Sequence, residues 1–400
     1  MSLEFDLLAH CCGLARGIPT LTDMSASGVP AGLEEDRFIA LARQHKVSGT
    51  AYAGLGKAGI ELSPEGMRIL AREARVSRAT HSLLLRDWLE IVAAFKSKNI
   101  RALTIKGPAS SIQLYGDPLT REFGDLDLLV DITDIDSILP LMAGTGYAPV
   151  DASALRPTSA NGPLMQKSHH VVFGKAGRPF HIEIHGKTWQ EDKQLYPVQT
   201  DELFERAVAL GDGAEWGDSL DLADHTLFII AHGTRHAWCL LHWLLDMAAL
   251  LNRDDDDLHR KVALGIQAMG MERQLKLACA VVQSVYPVTI PAPLQEIITG
   301  EKASLARATR FALARLQVGG RDMATLRNIL ESSLMYLPAF VKKPTHKIKL
   351  FFRPFLTPQI DTETLHLPKP LYFLYVPLRP FFVLSRRLKR RFGHGASYAN

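Results

Sequence analysis

The sequence predicts an α+β protein, with a small mixed sheet and its helices set between two helical regions. Three observations lead there. Residues 1–98 and 196–340 carry apolar side chains at helical spacing, and residues 99–195 switch to short alternating runs broken by Gly and Pro. After residue 340 prolines, aromatics and basic residues gather into a tail, 341–400. A 400-residue chain exceeds one ordinary core, and 47% hydrophobic against 22% charged residues excludes a disordered chain. No internal repeat is visible.

The elements follow in order. Residues 33–55 keep a helical apolar spacing, and Ser63-Pro64-Glu65 starts a long helix running to about Lys98, with serine as cap and proline in the first turn. Arg75, Arg86 and Asp87 interrupt its apolar face at intervals suited to solvent exposure. Residues 100–105 read as a strand, Lys106-Gly107-Pro108 as a turn, 109–115 as a helix, 126–130 as a strand and 135–142 as a helix. Residues 151–167 are loop-like, and 169–173 and 180–185 form two more strands around a turn at 174–179. Residues 221–251 make the strongest helical stretch, and Asp254 to Asp257 give an acidic turn before the next helix.

The net charge of +4 is unevenly placed: the tail holds twelve Lys/Arg against Asp361 and Glu363, while the preceding 340 residues hold 34 basic and 40 acidic. Such a tail suits an anionic surface, either a membrane periphery or an acidic partner. Packing of its aromatics (Tyr372, Phe373, Tyr375, Phe381, Phe382) on the body, with the charges in solvent, is the alternative. Cys11, Cys12, Cys239 and Cys279 follow no metal or disulfide spacing, so a reduced setting is expected. The first residues carry acids where a secretory signal carries Lys or Arg, and no apolar run is long enough to span a bilayer. A cytoplasmic protein, peripheral to a membrane if the tail binds one, is the expectation.

Chemistry concentrates in Gly124-Asp125-Leu126-Asp127-Leu128-Leu129-Val130. Alternation along a strand puts Asp125 and Asp127 on one face and Leu126 and Leu128 on the other. Two such carboxylates repel unless a cation lies between them, and hard oxygen donors favour Mg²⁺ or Mn²⁺. Alone, such a pair is more often a solvated strand end. Phe180-His181-Ile182-Glu183-Ile184-His185 alternates as well, aligning Glu183 with His181 and His185. A third carboxylate from a neighbouring strand completes the requirement of a two-metal phosphoryl-transfer site. His181 and His185 are then partners of Glu183 or simply a polar sheet face. Lys106 and Gly107, with Ser110 and Ser111 at the following helix start, suit phosphate through free backbone N–H groups and positive charge; an ordinary serine-capped turn is the alternative. Arg121 is a candidate for reaching the triphosphate or the transition-state charge, or for an ion pair with Glu122 or Asp117.

The ordered set Lys106-Gly107, Tyr115, Arg121, Asp125-Leu126-Asp127-Leu128-Leu129-Val130, Glu183-Ile184-His185 and Trp243-Leu244-Leu245-Asp246 resembles the bacterial family of uncharacterised nucleotidyltransferases. That family lies within the DNA polymerase β-like nucleotidyltransferase superfamily. Ala42-Arg43-Gln44-His45-Lys46-Val47 matches its N-terminal helical region. The resemblance implies a polymerase β-like core over 99–195 and catalytic and metal-binding roles for Asp125, Asp127 and Glu183. It implies an NTP donor, Mg²⁺ or Mn²⁺, pyrophosphate release, and an acceptor among small molecules, sugars, peptides or proteins. It further implies that the 221–251 helix closes over the site, with Arg235 or His236 touching nucleotide or acceptor and Asp246 supporting the site from behind. One departure is Pro108 after Gly107: proline has no N–H, so Ser110 or Ser111 is expected to supply the phosphate contact.

Two other functions fit the residues. A partner-binding protein that kept the fold without catalysis is consistent with Pro108, and a zinc-dependent hydrolase would use the histidine groups, including His232 with His236 and His242 with Asp246. No stacking aromatics interleaved with basic residues accompany the site region, which argues against nucleic acid.

Overall fold

The computed structural model describes residues 1–21, 28–150, 170–186, 195–211, 216–319 and 331–341, with a few isolated positions beyond. The expected loop at 151–167 and nearly all of the tail lie outside the described residues. Two compact units emerge, Met1–Arg321 and Asp322–Asn400. The described part of the second is a π-helical turn, Ser332–Tyr336, running into the 3₁₀ turn Leu337–Phe340. Among the described residues no helix is long and apolar enough to cross a membrane.

The first unit is α+β, as expected. It begins with helices α1 (Leu3–Arg16), α2 (Glu35–Gln44), α3 (Ser48–Ala58) and α4 (Pro64–Lys96). The sheet region supplies β1 (Ala102–Thr104), α5 (Pro108–Tyr115), β2 (Asp125–Val130), α6 (Ile135–Gly144), β3 (Ala148–Pro149), β4 (His170–Gly174) and β5 (His181–His185). Then come α7 (Thr200–Glu205), β6 (Val208–Ala209), β7 (Asp218–Ser219), α8 (Leu222–Arg235), α9 (Leu241–Leu251), α10 (Asp256–Met269), α11 (Glu272–Gln283), α12 (Ala292–Gly300) and α13 (Ala306–Leu316).

Seven strands form one mixed sheet in the order β3-β4-β5-β2-β1-β7-β6. β2 and β5 run parallel with Asp127 opposite Glu183 and Leu129 opposite His185, while β1 is antiparallel to β2. One face is apolar: Leu126, Leu128, Val130, Ile182 and Ile184 pack with Trp88 and Phe95 of α4 and Ile138 of α6. That burial anchors the strands and leaves their other face for chemistry. β6 and β7, too short to show a period, bring residues beyond 195 into the sheet beside β1.

Three expectations change. The stretch 33–55 divides into α2 and α3, with Lys46 in the left-handed region between them (φ 55°). The stretch 221–251 divides into α8 and α9, although no Gly or Pro lies at the break. Trp238 is fully buried and its N–H closes onto the Gly233 carbonyl at 2.8 Å, in the manner of a Schellman end. A Cβ at Gly233 would fall 2.5 Å from the Trp238 ring, so the glycine admits the indole that turns the chain. Asp87, expected in solvent, is fully buried: it accepts hydrogen bonds from Tyr147 Oη (2.9 Å) and Arg178 Nε (2.6 Å). A buried carboxylate needs such partners, and both are distant in sequence.

Helix α3 crosses α1 so closely that a Cβ at Gly54 would lie 2.0 Å from the Cys11 carbonyl oxygen. Gly54→Ala is therefore expected to destabilise the protein by about 2–3 kcal/mol, the upper range for overpacking. A lowered denaturation midpoint with an unchanged m-value would register it.

Candidate active site

The polar face of the sheet is built by alternation. Asp127 and Glu183 share it as register partners on β2 and β5, and His185 joins them two residues further along. His185 Nε2 lies 2.9 Å from Asp127 Oδ1 and 3.4 Å from Glu183 Oε2. One donor atom from each of Asp127, Glu183 and His185 falls within 4.8 Å of the other two. Asp125 stands outside this group. It is partly exposed, and its Oδ2 lies 3.5 Å from Lys106 Nζ.

Lys106 reaches the same face from the turn after β1, with Nζ 3.0 Å from Asp127 Oδ2. Gly107 makes this possible. Its φ of 67° with ψ of −121° excludes most residues, and a Cβ there would press to 3.2 Å from the Asp125 carbonyl oxygen. The turn thus lies directly against β2.

Electrostatics bind these groups together. Burial alone would strip the proton from Lys106, but Asp127 and Asp125 outweigh it and hold the ammonium above lysine's usual range. Burial likewise opposes the charged form of Asp127, yet Lys106 and the His185 hydrogen bond hold its carboxyl below the ordinary value. The His185 hydrogen bond does the same for Glu183, against its burial. His185 itself is pushed up by Asp127 and Glu183 despite burial.

The remaining expected site residues are distributed unevenly. Ser110 and Ser111 are buried and engaged inside the protein. Ser110 Oγ lies 2.8 Å from His225 Nε2, whereas Ser111 Oγ donates to the Asp117 carbonyl (2.6 Å) and accepts from Arg121 N (2.9 Å). Neither hydroxyl is presented to the carboxylate face. Arg121 Nε donates to Asp246 Oδ2 at 2.7 Å, and Tyr115 Oη donates to Asp246 Oδ1 at 3.0 Å. The ion-pair partner of Arg121 is thus Asp246, neither the Glu122 nor the Asp117 carboxylate. This buried triad ties α5 and the start of β2 to α9.

His181 opposes Asp125 in register and is exposed. Arg235 ends α8, and His236 follows it with its ring 4.7 Å from His232 and 5.6 Å from Trp243. His232 lies within electrostatic reach of Lys106: burial, then His236 and the Lys106 ammonium, hold its imidazole below the ordinary value.

Removing one member of the buried Arg121–Asp246 pair leaves the other charge uncompensated. Arg121→Met is expected to cost about 3 kcal/mol, and Arg121→Met/Asp246→Leu to regain most of it in thermal denaturation. Equal losses in the single and double variants would show that the pair is not the source.

Some residues escaped the sequence reading. His170 on β4 opposes His185, with its Nε2 4.0 Å from Glu183 Oε2; the pairing of 169–173 with 180–185 was the available signal. A cavity of ≈ 550 Å³ opens beside Gly124, the residue before Asp125, and Arg43, Lys46, Arg72, Ser77, Thr80 and His81 are among those lining it. Arg43 pairs with Glu73, whereas Lys46 and Arg72 have no carboxylate at ion-pair distance among the described residues. Nothing local in the sequence marks that convergence.

Known proteins bear on the geometry at the family level. No protein with a curated description and no solved structure matches the chain. A family model described as uncharacterised nucleotidyltransferase matches residues 31–287, which takes in α2 to α4, the whole carboxylate face and α8 to α11. The chain therefore belongs to the uncharacterised nucleotidyltransferase family.

Proposed function

We propose that the chain transfers a nucleoside monophosphate from an NTP to a hydroxyl-bearing acceptor, with a divalent cation held on the polar face of the sheet. The observation that carries this reading is the convergence of Asp127, Glu183 and His185, with ligand atoms within 4.8 Å, beside the Gly107 turn at the start of α5. Two carboxylates and one imidazole fit a hard cation, so Mg²⁺ or Mn²⁺ suits the donors better than zinc, for which the described residues offer a single histidine in the group. Bound there, the cation supplies Lewis acidity at the α-phosphate.

The chain's own groups do the rest. Lys106 adds fixed positive charge next to the carboxylates, and the α5 N-terminus adds its dipole. The acceptor oxygen forms a bond to the α-phosphorus, the bond to the bridging α,β oxygen breaks, and pyrophosphate departs. The hydroxyl proton passes to Glu183 or to solvent. The cavity beside Gly124 falls within the volume range of small-molecule sites, and Lys46 and Arg72, with no carboxylate at ion-pair distance among the described residues, suit an acceptor bearing an anionic group.

A second reading has its own support. Pro108 lacks an N–H, and Ser110 and Ser111 are spoken for, so the phosphate contacts of the turn are reduced. A protein that kept the fold to bind a partner would have this character. Incubation with α-labelled NTPs and Mg²⁺ or Mn²⁺ separates the two. Label transfer or pyrophosphate release that disappears in Asp125→Asn/Asp127→Asn supports catalysis. Absence of both, with no NTP-dependent thermal shift under either metal, would leave the binding protein.

A further inference from the structure

We propose that the Lys106 ammonium occupies one of the two cationic positions of the carboxylate face, so that the protein itself holds a single divalent cation, on Asp127, Glu183 and His185. The inference rests on the metal-dependent reading above and departs from the two-ion arrangement that three carboxylates on two strands first suggest.

The case begins with position. A cation expected between Asp125 and Asp127 has to lie within reach of both, and Lys106 Nζ does so, at 3.5 Å and 3.0 Å. The lysine is not a loose surface group that visits the carboxylates. Its backbone is clamped on both sides: Ile105 N–H bonds the Asp127 carbonyl at 3.2 Å, and Gly107 lies against the Asp125 carbonyl. Its side chain is three-quarters buried, and Asp127 beside it is 1% exposed, so withdrawing the ammonium would leave a buried carboxylate without its cation.

Ligand supply points the same way. Asp127 Oδ2 lies 3.0 Å from the Lys106 ammonium, while its Oδ1 lies 2.9 Å from His185 Nε2. The group of three that closes within 4.8 Å does not include Asp125. Charge agrees: Asp125, Asp127 and Glu183 bring three negative charges and Lys106 one positive. One divalent ion then balances the face, whereas two would leave it positive before any phosphate arrived. An ion carried in on the nucleotide's own phosphates is a separate matter, since it needs no second position on the protein.

Counting Mn²⁺ by EPR on the nucleotide-free protein tests this. Wild type is expected to take one ion with an uncoupled six-line spectrum. Lys106→Met keeps the alkyl stem but removes the charge; it is expected to take two ions, broadened by mutual coupling at the ~3.5–4 Å spacing of two-metal sites. Asp125→Asn is expected to keep the single ion with less than about a threefold change in affinity, whereas His185→Gln weakens it at least about tenfold, as loss of a direct ligand does. Two coupled ions in wild type would overturn the proposal and leave the metal-dependent reading intact. No ion in wild type would overturn both. If Lys106→Met does not fold, the wild-type count and Asp125→Asn still decide: a single ion that is lost in Asp125→Asn is also contrary to it.

Discussion

Asp127→Asn is expected to lower nucleotidyl transfer by about 10³-fold, which corresponds to about 4 kcal/mol of transition-state stabilisation. Asp125→Asn, one turn of the pleat away, is expected to lower it by only about tenfold. Symmetry of sequence hides the difference. Both residues are aspartates on one face of β2, but Asp127 is buried between Lys106 and His185, while Asp125 is partly exposed and, among the described residues, paired with Lys106 alone. Removing the charge at 127 takes a ligand from the Asp127–Glu183–His185 group and also the counter-charge that keeps Lys106 in place. Removing it at 125 leaves the group whole. Initial rates of pyrophosphate release at saturating NTP, with circular dichroism to confirm folding, compare the two. Equal losses would mean that the carboxylates act as an equivalent pair.

Lowering the pH from 7.5 to 5.5 is expected to cost the first unit about 5 kcal/mol of stability, through histidines that fold neutral. Burial pushes His45 down to about 4 and His225 down to about 3, and holds His232 and His242 well below their ordinary value. The sign follows from proton counting. Between the folded values and the unfolded value near 6.5, the unfolded chain binds protons that the native chain refuses. Stability is therefore complete above that unfolded value and falls as pH drops below it. Each group contributes about 1.4 kcal/mol per pH unit in that window.

One group titrates there in the opposing sense, His185, whose gain offsets part of the loss. His185, raised by its carboxylates, has its full stabilising effect below its unfolded value, and Asp87, Asp127 and Glu183, all lowered, surrender theirs only in stronger acid. Local bonds explain the cost: His45 Nδ1 accepts the Leu241 N–H at 3.0 Å, which a proton on that nitrogen would destroy. Denaturant midpoints at the two pH values measure the slope. His45→Gln/His225→Gln is expected to halve it, and a flat profile in wild type would rule the account out.

The sequence was readable where chemistry obeyed a local period. Asp125, Asp127 and Glu183 announce themselves because strand alternation isolates them from the leucines and isoleucines between. Ser63-Pro64 likewise marks the start of α4 at the right place, and Asp221, whose carboxylate receives the Asp224 N–H, marks the start of α8. Long-range partners were not readable. Arg121 and Asp246 are 125 positions apart, and no local pattern says that one neutralises the other. Asp87 reads as a surface charge until Arg178 and Tyr147 are folded onto it. The break between α8 and α9 depends on Trp238 filling the space over Gly233, which is a packing decision and not a propensity. Ser110 and Ser111 misled for a related reason: serine at a helix start is expected to cap or to bind phosphate, and here the tertiary fold had already claimed both hydroxyls.

The sheet order also has a consequence for how the face comes into being during folding. Asp125 and Asp127 approach Lys106 through a short excursion, β1 to α5 to β2, while Glu183 and His185 arrive later on a strand that must pair in parallel across a long connection. The mutual repulsion of the two aspartates is thus relieved by a neighbour in the chain before the distant carboxylate arrives. A chain still emerging from its synthesis can therefore pair β2 with β1 while Lys106 offsets one of the two aspartate charges.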